Sequence, residues 1–164
     1  MLAKNYFFLL CGCTLLLLAA CSRPPDYPLT PAIQLISMTP LTVRADKPDS
    51  IVIKLSFTDG DGDITPIKGQ QNIFIKDPRT FSFLPRFRDT AASFIIPTIE
   101  DRGVSRAISG EIKLLFLPQT ACEYEPGTTH PTTDKVAYKI YMEDKAGNKS
   151  NTLQLPEVTI TECQ

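Results

Sequence analysis

Tryptophan is absent from this 164-residue chain and histidine occurs once, as His130. That histidine lies in Gly127-Thr128-Thr129-His130-Pro131, a stretch of turn residues. There is no Gly-x-Ser-x-Gly elbow, no phosphate-cradling glycine loop and no His-Glu-x-x-His pair. Nor is there an excess of positive charge, since the formal net charge is −1. Such a balance leaves no electrostatic footprint for nucleic acid or for anionic lipid headgroups. Segments of 3.6-residue apolar periodicity are missing too, which argues against a mixed α/β domain. What remains is a chain expected to be non-enzymatic and built from strands.

The N-terminus carries the clearest signal. Met1 to Asn5 holds one positive charge, Lys4, and Tyr6 to Ala20 is an unbroken run of apolar and small residues. A charged start, a short apolar stretch and small residues before a cut site make a secretory leader, and the run is too short for a spanning helix. It ends Leu18-Ala19-Ala20-Cys21, which resembles the lipobox of bacterial lipoproteins. The resemblance implies cleavage before Cys21, lipid on its thiol and an acylated new N-terminus, so residues 1–20 are the signal peptide. Several acyl chains hold a protein durably where one does so marginally. Ser22 stands where an aspartate would suggest inner-membrane retention, so the expected location is the cell envelope, as an outer-membrane lipoprotein. An acidic cluster after the cysteine, often seen in surface-displayed lipoproteins of Bacteroidota, is replaced by Ser22-Arg23-Pro24-Pro25-Asp26.

Without Lys4 the mature chain has 16 basic side chains against 18 acidic ones, a formal charge near −2. Pro24, Pro25, Pro28 and Pro31 make residues 21–31 an extended, semi-rigid tether, and residues 32–164 are the folded domain. Of the five cysteines, Cys11 and Cys13 leave with the leader and Cys21 takes lipid. Cys122 and Cys163 remain, and an even remainder in an exported domain reads as one disulfide.

Two-residue alternation dominates the domain. Ile51, Ile53, Leu55 and Phe57 mark one strand and Ile73-Phe74-Ile75 a second. Phe94-Ile95-Ile96 before Pro97 reads as an edge strand, and Ile108 to Phe116 as a long fourth. Val136, Tyr138, Ile140 and Met142 mark a fifth. Leu153, Leu155, Val158 and Ile160 mark a sixth with a bulge at Pro156, and Ile33 to Ser37 is an extra strand. About seven short strands between turn clusters predict an all-β antiparallel sandwich.

The stretch Asp144-Lys145-Ala146-Gly147-Asn148-Lys149-Ser150 resembles the last hairpin of immunoglobulin-like and fibronectin type III-like domains of exported bacterial proteins. Gly147 and Asn148 tolerate the positive φ of a tight turn. Together with Ser56 to Ile64, it also resembles a group of small Bacteroidota lipoproteins without assigned activity. The resemblance implies an immunoglobulin-like sandwich and says little about function.

Three places carry chemistry. Asp59-Gly60-Asp61-Gly62-Asp63 alternates carboxylates with glycines, a pattern able to converge oxygens on Ca²⁺. It is not an EF-hand, because Ile64 stands where the turn glycine belongs and Gln70 where the bidentate glutamate belongs. If the final hairpin shares its end of the sandwich, Asp144 adds a fourth carboxylate. A solvated Asp/Gly turn is the plainer alternative. The second place interleaves Arg79, Arg86 and Arg88 with Phe81, Phe83 and Phe87. Exposed, these residues suit a partner surface, whereas a strand with its phenylalanines in the core explains them more simply. The third is Glu123 and Glu125, whose two-residue spacing puts both carboxylates on one strand face, as the adjacent Glu100 and Asp101 cannot.

The expectation is thus a lipid-anchored envelope module that binds or scaffolds a protein or a glycan, with Ca²⁺ as its one candidate ion. A small accessory hydrolase of envelope or dietary glycans and a structural subunit of an outer-membrane complex are the alternatives.

Overall fold

The computed structural model describes residues 26–65, 69–79, 90–96, 107–118, 122, 129 and 131–163. The leader and Cys21 lie outside these residues, so the expected cleavage and lipidation have no structural counterpart here. No helix among the described residues is long and apolar enough to cross a membrane.

The alternating segments form strands as their periodicity demands. In chain order these are β1 (Ala32–Thr39), β2 (Thr42–Arg44), β3 (Ile51–Asp59), β4 (Ile73–Lys76) and β5 (Thr90–Phe94). They continue with β6 (Ile108–Phe116), β7 (Thr133–Val136), β8 (Lys139–Met142), β9 (Leu153–Gln154) and β10 (Val158–Thr161). Three sheets result, ordered β1-β3-β6, β2-β10-β7 and β5-β4-β8-β9. Every pairing is antiparallel except that of β10 with β2. The fold is all-β, with the buried faces of the sheets meeting in one core.

Among the described residues there are ten strands where about seven were expected, mainly because two alternating segments each divide. Val136, Tyr138, Ile140 and Met142 are all buried in unbroken alternation, yet β7 pairs with β10 whereas β8 pairs with β4 and β9. The chain changes sheet at Ala137-Tyr138. It changes back between β9 and β10, where Pro156 lies. Proline has no N–H to give a ladder, which suits a crossing point. The strand expected at residues 94–96 lies earlier, at Thr90–Phe94, and borders its sheet.

Tyr138, fully buried at the first crossing, meets Phe116 edge to face with ring centroids 4.9 Å apart. Such a pair adds to the burial of its apolar area. Asn72 ties three segments together before β4. Its Nδ2 donates to the Ile64 carbonyl, its Oδ1 accepts from the Ile96 N–H, each at 2.9 Å, and its own carbonyl accepts from Glu143 N at 2.8 Å. Because the side chain is buried, both ends of its amide need these partners.

The sulfurs of Cys122 and Cys163 are bonded, with Cα atoms 5.8 Å apart and a sequence separation of 41. The bond ties the chain beyond β6 to the residues after β10. In the chain-entropy description a loop of this size stabilises the fold by about 4 kcal/mol. A C122S/C163S double variant of the full-length chain should lose roughly that amount in urea unfolding. A loss below about 1 kcal/mol would show that the link constrains little.

Candidate metal centre

Strand β3 points Ile51, Ile53, Leu55 and Phe57 into the core, and the same alternation carries Asp59 inward at its end. Asp59 is 0% exposed. Past it the chain turns through Gly62, whose φ of 72° lies in the left-handed region that glycine enters without strain. The turn brings Asp61 and Asp63 back towards Asp59. One carboxylate oxygen from each of the three lies within 4.8 Å of the others. Both oxygens of Asp59, Oδ1 of Asp61 and Oδ1 of Asp63 are buried and lack a hydrogen-bond partner among the described residues.

Gly60 is dictated by a different contact. Its N–H donates to the Pro28 carbonyl at 2.9 Å, and a Cβ there would stand 2.2 Å from the Tyr27 carbonyl oxygen. The segment that enters the domain ahead of β1 therefore crosses directly over the acidic turn, and only glycine leaves room for it. On the other side, Lys145 N donates to the Asp63 carbonyl at 3.0 Å. The acidic turn and the β8–β9 hairpin thus share one end of the fold.

That hairpin has the local chemistry its sequence announces. Asp144 is buried; its Oδ1 accepts from Asn148 N at 2.7 Å and its Oδ2 from Asn148 Nδ2 at 2.8 Å. Gly147, at φ 88°, donates its N–H to the Asp144 carbonyl. Asp144 is therefore a turn cap beside the triad rather than a member of it. Its charge is still felt there, and a carboxylate oxygen holding one hydrogen bond keeps a further lone pair.

The electrostatics follow from this crowding. Burial pushes Asp59 up from 3.8 to about 6, helped by the charges of Asp61, Asp63 and Asp144 and offset only weakly by the nearby Asp63 N–H. Asp63 is raised as well, by burial and then by Asp144 and Asp61. Two unit charges about 5 Å apart repel by roughly 3 kcal/mol at an effective dielectric constant near 20. Ca²⁺ takes six to eight oxygens at about 2.3–2.6 Å, so ligands on opposite sides of one ion stand about 5 Å apart. The spread of the triad matches that span, and a divalent cation would turn the repulsion into attraction.

Elsewhere the residues singled out from sequence are placed differently. Arg79 is no surface hot spot, since only 7% of its side chain is exposed. Its guanidinium bonds Asp77 Oδ2 at 2.7 Å and Asp134 Oδ2 at 2.8 Å, pinning the chain after β4 to β7. Phe81, Phe83, Arg86, Phe87 and Arg88 lie outside the described residues, as do Glu123, Glu125 and His130. Sequence reasoning passed over the outward face of the β5-β4-β8-β9 sheet, where Lys76, Lys139, Tyr141 and Lys149 line an open depression. The out-facing members of two alternating segments, Lys76 in one and Lys139 and Tyr141 in the other, were the signal available for it.

Comparison with protein-family models, with curated proteins and with solved structures returns no match.

The raised Asp59 has a testable sign. The folded chain holds this proton more tightly than the unfolded chain, so Asp59 favours folding while protonated and loses that contribution as pH rises from 3.8 to about 6. Without divalent cations, D59N should melt close to the wild type at the lower limit of this window and above it beyond the upper limit. A difference in melting temperature that stays flat across the window would refute the assignment.

Proposed function

We propose that the chain is a lipid-anchored, non-enzymatic binding or scaffolding module of the bacterial cell envelope, with an immunoglobulin-like sandwich whose tether-proximal end is fixed by Ca²⁺. The observation that carries the ion is the set of four buried, unpartnered carboxylate oxygens on Asp59, Asp61 and Asp63. A buried carboxylate without a partner is strongly unfavourable, and it persists where protonation or a cation neutralises it. Asp59, Asp61 and Asp63 would hold the ion, with Asp144 buttressing the turn beside them. The ion's role is structural. It would draw together the end of β3, the hairpin turn joined to it through Lys145, and the Tyr27-Pro28 segment lying on Gly60.

The envelope reading rests on the leader and on Cys21, and the immunoglobulin-like reading on the Asp144–Ser150 hairpin within an all-β fold. A tether that lands on the acidic turn gives the two readings a common consequence. Ca²⁺ would stiffen the point where the domain joins its anchor, and so restrict how the domain swings above the membrane.

Melting of the full-length chain tests the ion. A ligand at one hundred times its Kd stabilises the folded state by about 2.7 kcal/mol, roughly 10 °C for a domain of this size. Ca²⁺ should raise the melting temperature by that order, a chelator should reverse it, and D59N and D61N should abolish the response. An unchanged melting temperature in the wild type would remove the ion. The anchor is tested independently by mass spectrometry of the exported product. The expected product begins at an acylated Cys21, and an intact leader or a free Cys21 thiol would defeat that part.

A further inference from the structure

The outward face of the β5-β4-β8-β9 sheet concentrates positive charge around an aromatic pair, on a chain whose net charge is −1. Register makes Lys76 and Lys139 direct cross-strand partners, as it does Phe74 and Tyr141. Like charges directly opposite one another destabilise a sheet, and neither lysine has an ion-pair partner among the described residues. Phe74 and Tyr141 stack with centroids 5.1 Å apart and planes 20° from parallel. The Lys76 and Lys149 ammonium groups lie 5.9 and 5.3 Å from the Tyr141 centroid, within cation–π range. Lys149 alone is partly neutralised, by Glu143 at 3.3 Å. Thr152 completes the rim of the depression and adds a hydroxyl.

We propose that this face binds an acidic polysaccharide, with the apolar face of a sugar ring laid against the Phe74/Tyr141 platform and its carboxylates paired with Lys76, Lys139 and Lys149. The arrangement asks for a ligand that carries an anion and a flat apolar surface on the same rigid ring. A uronate sugar does so, whereas a glutamate or aspartate side chain brings its charge on a flexible stem with little to stack. The open face of a sheet also admits an extended polymer that a closed pocket would exclude. The proposal is independent of the cation at Asp59–Asp63. It supplies the partner class that a binding module requires, and chelation should leave the contributions of Lys76 and Lys139 in place.

The test uses the full-length chain in detergent micelles, titrated calorimetrically with oligogalacturonate. Binding is expected to weaken by about tenfold or more in K139E and further in K76E/K139E. Lys54 and Lys113 form a matched cross-strand pair on the β1-β3-β6 sheet, so K54E/K113E makes the same charge change away from the site. That variant should bind like the wild type. Methyl-esterified oligogalacturonate keeps the ring and removes the charge, and should bind at least about tenfold more weakly; this arm needs no variant to fold. Absence of oligogalacturonate binding would overturn the proposal. So would equal losses in K76E/K139E and K54E/K113E, or poly-L-glutamate binding as tightly as the sugar.

Discussion

The register of β3 is the constraint on which the acidic end depends. Four apolar side chains at two-residue intervals bury themselves against the other sheets, and the pleat that aims them inward aims Asp59 inward as well. The strand cannot slip by one residue to free that carboxylate without exposing Ile51, Ile53, Leu55 and Phe57 together. Burying each of those side chains contributes about 1.5–3 kcal/mol. The desolvated carboxylate is therefore imposed by the rest of the strand, and the turn beyond it has to supply a means of neutralising it. Two further carboxylates stand there, where a lysine would have formed an ion pair, and this choice of residues is what supports the proposed cation.

Much of this was legible in the sequence, and the parts that were not share a physical reason. Alternation reports which side chains face the core, and it did so correctly along Val136 to Met142 and along Leu153 to Ile160. It does not report which backbone is hydrogen-bonded to which. Because adjoining sheets share one core, a chain can pass from one to the other at Tyr138 without disturbing the inward pattern. The crossing leaves its trace only in the pairing. The opposite failure occurred at Arg79. Its surroundings of phenylalanine and arginine suggested a wet, exposed head group, whereas Asp77, two residues before it, and Asp134, far along the chain in β7, close on it together. The pair with Asp134 is the long-range one, and it is invisible to local patterning.

The acidic turn was recognised from its composition, and the structure adds what composition could not supply: which oxygens lack partners, and what crosses over the turn. Gly60 shows the difference. Read locally it is one more small residue of a flexible loop. In the fold it is the only residue type that lets the Tyr27 and Pro28 carbonyls pass, so the turn and the incoming segment are coupled by steric exclusion as well as by a hydrogen bond.

The near-neutral net charge conceals a separation. Carboxylates gather where the N-terminal segment meets the domain, and lysines gather on the sheet built from β4 and β8. The two regions meet in one hairpin, since the turn that holds Asp144 beside the triad continues into the Glu143–Lys149 bridge at the border of the lysine face. Fixing the turn therefore fixes one of the three ammonium groups, while Lys76 and Lys139 are held by strand register alone. Rigidity at the acidic end should accordingly sharpen the position of Lys149 more than that of its neighbours, which makes the hairpin the mechanical link between the acidic end of the domain and its cationic face.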